Sequence, residues 1–173
     1  IQAGQPLPNL PLQFESPATE LPAFDHFARF PRALLVGVPG AFTPGCSQSH
    51  LPGFISRAQA LADLGVQQLG CVAVNDAFVM QAWAQSLLQS SKVGGKGEGT
   101  SGQATAVGPL PFQFLADPQA KLVGALGLSF DATAALGNWR ARRFVLILEN
   151  GVVREVLSEP DNVGITVTRA SHV

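Results

Sequence analysis

The sequence predicts an α/β fold, a central mixed sheet flanked by helices. Three observations predict it. Apolar runs of strand length recur at residues 33–38, 67–74 and 112–116, as expected of strands buried on both faces. Segments of helical spacing lie between them. Near the end, Glu149-Asn150-Gly151 separates two further apolar runs, and Asn-Gly suits a tight hairpin. Strands alternating with helices, then a closing hairpin, give a layered α/β domain.

The elements follow in order. Residues 6–14 are short, extended and Pro-interrupted, which suits an edge hairpin. Residues 24–27 read as a helical turn, and 33–38 as a buried strand. From 44 to 64 the pattern turns helical, with Leu51, Phe54, Ile55, Ala58 and Leu61 near one face. Pro52 lies inside that helix. It has no N–H for the Gln48 carbonyl, so a kink is expected there. Residues 67–74 read as a strand and 77–88 as a helix. Residues 89–111 are Gly/Ser-rich and without periodicity, the pattern of a mobile loop. A strand over 112–116, a helix over 119–126, and strands over 144–148 and 152–157 complete the chain. Asp76 and Asp117 each follow an apolar strand and suit helix caps or turns.

A chain of 173 residues fits one domain, residues 1–173, with one substantial core. Charged residues are 13% of the chain and the net charge is −1, with no basic run, so a polyanion partner is disfavoured. A weakly charged surface instead suits self-association. No stretch approaches the roughly 20 apolar residues of a membrane span. The chain begins at Ile1 without Met, so trimming is expected and a preceding targeting peptide would not be seen.

The two cysteines, Cys46 and Cys71, do not make a disulfide scaffold, and no Cys-x-x-Cys pair exists. The histidines, His26, His50 and His172, are scattered without metal-ligand spacing. Chemistry concentrates in Pro39-Gly40-Ala41-Phe42-Thr43-Pro44-Gly45-Cys46, between a strand and a helix. A thiol in the first helical turn meets N–H groups without intrahelical partners and the positive end of the helix dipole, which favour a thiolate. Thr43 suits the helix cap and Pro44 the first helical position. By position alone, Cys46 reads equally well as a reactive nucleophile or a buried structural thiol.

The stretch 36–54, Val-Gly-Val-Pro-Gly-Ala-Phe-Thr-Pro-Gly-Cys-Ser-Gln-Ser-His-Leu-Pro-Gly-Phe, resembles the active-site segment of peroxiredoxins. It is most similar to the subgroup with animal peroxiredoxin 5 and plant type II peroxiredoxins. Pro39, Thr43 and Cys46 match the family's Pro-x3-Thr-x2-Cys motif. Further pieces follow in the family's order: Val74-Asn75-Asp76-Ala77-Phe78-Val79 with Trp83, Leu115-Ala116-Asp117-Pro118, Arg140-Ala141-Arg142-Arg143-Phe144, and Glu159-Pro160-Asp161. The chain departs from the family in the 89–111 insertion. It also lacks the animal resolving cysteine, which would fall near Val167, and it stops early, so a short or absent last helix is expected.

The resemblance implies a thioredoxin-like fold and a thiol-dependent peroxidase without cofactor or metal. Cys46 would attack hydrogen peroxide or an organic hydroperoxide and become a sulfenic acid. Arg143 would stabilise the thiolate and polarise the peroxide; residue patterns alone do not choose it over Arg140 and Arg142. Arg140 would support it from behind. Thr43 would orient the peroxide, and the N–H groups of Gly45 and Cys46 would bind the second oxygen; Pro39 reads equally as a shield over the thiol or as a turn proline. Cys71 has two readings, a buried strand thiol and a resolving cysteine, since plant relatives carry a cysteine there. His50, one turn beyond Cys46, reads as a base, a pocket wall or a surface residue. Trp83 and Trp139 read as packing or interface residues.

With no cysteine at Val167, a one-Cys cycle is implied. Glutathione with glutaredoxin, or thioredoxin, would serve as reductant. A homodimer packed near Phe42, Phe78 and Trp83 is expected, in the cytosol, mitochondrion, plastid or peroxisome, with no nucleic-acid or membrane partner. The rival reading is a redox-sensing or chaperone-like interaction protein, oxidised once rather than turning over.

Overall fold

The computed structural model describes residues 1–91 and 105–173. Strands β3 (Ala33–Gly37), β4 (Gln68–Ala73) and β6 (Leu110–Ala116) run parallel at the sheet centre. β9 (Phe144–Glu149) adds antiparallel to β3, and β10 (Val152–Ser158) to β9. On the other side β1 (Pro11–Phe14) and β2 (Ser16–Pro22) extend the sheet, in the order β10-β9-β3-β4-β6-β1-β2, and β5 (Thr105–Val107) also pairs with β6. The result is the expected mixed sheet.

Side chains alternate across it. Leu34, Val36, Leu69, Cys71 and Val145 face one core with Phe54, Met80 and Trp83. Leu35, Val72, Phe144 and Leu146 face the other, with Phe27, Leu122 and Val123. Every residue of β3 and β4 is buried, which is why both strands read as unbroken apolar runs. Helices α2 (Leu51–Ser56), α3 (Ala58–Asp63) and α4 (Ala77–Ser91) cover the first face. Helices α1 (Ala23–Phe27) and α5 (Lys121–Ala125) cover the second. Among the described residues, no helix is long and apolar enough to cross a membrane.

Local signals explain several elements. Asp76 Oδ1 accepts from the Val79 N–H at 2.9 Å and caps α4. The Asp117 carboxylate takes the Lys121 and Val123 N–H groups at 2.8 and 2.9 Å. Asn150 and Gly151 both have positive φ, +49° and +78°, as a type I′ hairpin requires.

Four expectations change. The edge hairpin lies at 11–22, not 6–14: Pro6 makes only an isolated bridge with Val152, because prolines cannot donate to a ladder. The helix expected over 44–64 is broken. Residues Cys46–His50 form a π-helical turn, in which Leu51 donates to the Cys46 carbonyl. The wider turn comes just before Pro52, whose ring would crowd a regular helix. A second break falls at Arg57, whose N–H bonds Phe54 at 3.3 Å. The inserted loop is shorter at both ends than 89–111: residues 89–91 continue α4, and 105–107 and 110–111 pair in the sheet. Residues 108–109 form the turn between β5 and β6, and 92–104 lie outside the described residues. Finally, α6 (Thr133–Leu136) and a small β7–β8 ribbon (Ser129–Asp131, Trp139–Ala141) carry no alternation long enough to read in sequence.

Candidate active site

β3 delivers the chain to Val38 and Pro39, both buried, and a turn through Gly40, Ala41 and Phe42 leads into the helix at Pro44. Phe42 has φ +60° and is 54% exposed, so the turn holds it outward against the Trp83 ring at 6.4 Å. Asn75, two residues beyond β4, fixes this turn: its Oδ1 accepts from the Ala41 N–H at 3.0 Å and from Arg140 Nη1 at 3.4 Å. Arg140 is thus placed behind the turn. Its Nη2 also donates to the Leu136 carbonyl at 3.2 Å.

The Thr43 hydroxyl donates to the Gly40 carbonyl at 2.9 Å. It ties the turn backward rather than closing the helix start, which differs from the expected cap. Its backbone carbonyl accepts from the Ser47 N–H at 2.9 Å, so the helix does begin here. Ser47 Oγ in turn accepts from the Trp83 indole at 2.9 Å.

Cys46 is fully buried. Arg143, just before β9, is 3% exposed, and its Nη1 lies 3.4 Å from Cys46 Sγ. Its Nε donates to the Val163 carbonyl at 3.0 Å, and its N–H to the Asn162 carbonyl at 2.7 Å. Gly45 leaves room for the guanidinium: a Cβ there would stand 3.2 Å from Arg143 Nη2. Arg142 donates its N–H to the Leu128 carbonyl at 2.9 Å, and the guanidinium at the sulfur is that of Arg143.

His50 stands closer to the chemistry than its sequence position suggests. It is 1% exposed; Arg143 Nη1 lies 3.1 Å from Nδ1, and the Thr168 carbonyl 2.9 Å from Nε2. A guanidinium can only donate, so Nδ1 accepts and Nε2 carries the proton. Burial, then the Arg143 charge, lower the His50 pKa to about 4. A cavity of about 400 Å³ opens beside it, lined by Ser49, Gly53, Arg57, Ile165 and Arg169.

Glu159 completes the surroundings. Oε1 accepts from Thr166 N–H at 2.7 Å, Thr168 N–H at 2.9 Å and Thr168 Oγ1 at 2.8 Å, and Oε2 from Thr166 Oγ1 at 2.6 Å. Burial alone would raise its pKa, but these bonds hold it at about 2.

Cys71 sits in the middle of β4, paired with Val36 and Phe114, and fully buried. Burial, with Cys46 nearby, raises its thiol well above the ordinary value, against the pull of Arg143. Both cysteines are free thiols. Among the described residues no group of three or more potential metal ligands comes together. Trp83 is 1% exposed, so of the three residues expected at a dimer surface only Phe42 and Phe78 present themselves; Trp83 supports Phe42 from beneath.

These ionisations set an acid response. Between about pH 6.5 and 4 the unfolded chain binds a proton at His50 that the folded chain refuses, so stability falls as pH drops through that window. The contribution of Glu159 is complete above about 4.5 and is lost as pH falls toward 2. Stability is expected to drop by about 2 kcal/mol from pH 7 to pH 4.5 through His50 alone. Urea midpoints across this range measure it, and a flat profile contradicts it.

The Redoxin family matches residues 2–173. Peroxiredoxin-2E-2, chloroplastic, from Oryza sativa subsp. japonica is 38% identical over 160 residues, covering 89% of this chain. The chain spans only 63% of that relative's length. A crystal structure of reduced Prx3 from Vibrio vulnificus superposes with a TM-score of 0.80 at 35% identity, covering 99% of this chain and 95% of that one. Peroxiredoxin 5 from Alvinella pompejana gives 0.75 at 29%, covering 94% and 92%. The fold is therefore thioredoxin-like, and the chain belongs to the redoxin family as a peroxiredoxin of the type II and peroxiredoxin 5 kind.

Proposed function

We propose that this chain is a thiol peroxidase that reduces hydrogen peroxide and small organic hydroperoxides through Cys46. The observation that carries the reading is the Arg143 guanidinium 3.4 Å from a fully buried Cys46 Sγ at a helix start. The Cys46 thiolate forms a bond to one peroxide oxygen as the O–O bond breaks, and the other oxygen leaves as water or alcohol after taking a proton. Arg143 compensates the sulfur's charge and donates to the oxygens as charge develops. Thr43 and the Gly45 and Cys46 N–H groups orient the peroxide, and Pro39 keeps water off the sulfur. The half-buried Thr43 and Gly45 mark the side from which peroxide approaches.

The sulfenic acid is then reduced by an outside thiol, which forms a mixed disulfide with release of water; a second thiol frees Cys46. Glutathione with glutaredoxin, or thioredoxin, supplies these thiols in the proposed one-Cys cycle, in an intracellular setting. No other cofactor enters the proposal. Residues 1–173 act as one domain, and copies pair through the exposed Phe42 and Phe78 (54% and 60%).

Peroxide consumption with each reductant tests the reading. Arg143→Lys is expected to lower turnover about a hundredfold, because one ammonium cannot meet Sγ, Nδ1 and the Val163 carbonyl together. Absence of turnover with either reductant sinks the peroxidase reading and leaves the single-oxidation sensor.

A further inference from the structure

Three carbonyl-bearing residues hold the Cys46 site from one segment. Asn162 and Val163 take hydrogen bonds from Arg143, and Thr168 takes one from His50. All lie on a strap after β10 that has neither helix nor strand of its own. A strap without a ladder needs other bonds to keep its carbonyls in place.

Two carboxylates supply them. Asp161 Oδ1 closes the near turn, accepting from the Gly164 N–H at 2.7 Å and the Val163 N–H at 3.2 Å. Glu159 does more. Its side chain is almost fully buried, and it gathers both the N–H and the hydroxyl groups of Thr166 and Thr168. Its own N–H donates to the Arg143 carbonyl at 3.0 Å. One residue thus joins the backbone of Arg143 to the far end of the strap. A continuous line runs from Glu159 through Thr168, His50 Nε2, His50 Nδ1 and Arg143 to Cys46 Sγ.

We infer that Glu159 is a positioning residue for the reaction: its carboxylate clamps the strap whose carbonyls orient His50 and Arg143 against the sulfur. This rests on the reading of Cys46 as the peroxide-reducing thiol. The clamp works by hydrogen-bond geometry. The negative charge itself opposes a thiolate, so it is the acceptor oxygens that matter. The clamp also grips Thr166 and Thr168 on either side of Val167, holding that point of the strap down. The charged and titratable groups around this line are Arg143, His50, Cys46, Cys71, Asp161 and, across the cavity beside His50, Arg57 and Arg169.

The test measures two quantities in the full chain. One is the rate of Cys46 oxidation by hydrogen peroxide. The other is the pH midpoint of Cys46 alkylation by iodoacetamide, read on the Cys46 peptide by mass spectrometry. Glu159→Ala removes all the acceptor bonds and is expected to slow oxidation about tenfold and to move the alkylation midpoint upward. Glu159→Gln keeps an acceptor at Oε1 and a partner for Thr166 Oγ1, so its rate is expected to stay near the parent and its midpoint at or slightly below the parent's, since the opposing charge is gone. Glu159→Ala with the parent's rate and midpoint overturns the inference. So does a slowed Glu159→Ala whose midpoint is unmoved, which marks Glu159 as merely structural. If Glu159→Ala does not fold, Thr168→Val decides: it drops one clamp bond and keeps the backbone carbonyl, and an unmoved midpoint again overturns the inference. A parent whose Cys46 does not react with peroxide removes the peroxidase reading instead; the alkylation midpoint needs no turnover and still decides on Glu159.

Discussion

Cys46→Ser is expected to abolish peroxide turnover, and Cys71→Ser to keep it. The hydroxyl of serine stays protonated at neutral pH and cannot take an oxygen to form a sulfenic acid, so no step of the cycle survives. The Arg143 contact cannot rescue it, since it acts on a charge that serine does not carry. Cys71 is different. Its thiol is fully buried in a middle strand whose two ladders are formed, and burial disfavours its thiolate. It shares a core face with Cys46, and to meet the sulfenic acid as a nucleophile it would need the helix start at Cys46 to unwind. Cys71→Ser puts a hydroxyl into that apolar face and is expected to lower stability by about 1–3 kcal/mol while leaving turnover near the parent. Peroxide assays and urea melts on both variants give the answer. Loss of turnover in a folded Cys71→Ser would assign Cys71 as the resolving thiol.

Gly37→Ala is expected to cost about 3 kcal/mol or more and to lower turnover as well. A Cβ at Gly37 would lie 2.0 Å from Phe144 Cε1 and 2.4 Å from Cζ. Gly37 ends β3, opposite Phe144 on β9, and the ring is fully buried in the core. Overpacking of this kind forces backbone shifts or poor rotamers. The shift is transmitted directly, because Phe144 follows Arg143 in the chain and Gly37 leads through Val38 to Pro39. A fall in Tm of roughly 10 °C is expected for a chain of this size. A parent-like melt would show that the ring relocates freely and would contradict this account of the core.

The parts legible in sequence share one property: each depends on neighbours in the chain. Residues 33–38 read as a strand because burial on both faces leaves an unbroken apolar run. Asn150-Gly151 read as a hairpin because few residues accept two successive positive φ angles. The loop read at 89–111 extends too far because composition does not show where pairing resumes, and Thr105–Val107 pairs only through its partner β6. The small elements around α6 and β8 leave no sequence signal, because segments of 3 or 4 residues carry no period.

The site divides in the same way. The strand, turn and helix start that place Cys46, Thr43 and Pro39 are contiguous, so the sequence alone determined a thiol at the head of a helix. Which arginine faces it was beyond residue patterns; the resemblance to peroxiredoxins pointed to Arg143, and the structure places it there. Arg143 is 97 residues from Cys46, and His50 meets Thr168 across 118. Such meetings follow from sheet order and from the path of a strap without periodic structure, neither of which leaves a local pattern. Only the tertiary structure could turn His50 inward, bind it to Arg143 and set Glu159 behind them. Burial and hydrogen bonding between distant segments decide those orientations, and no spacing within the chain encodes them.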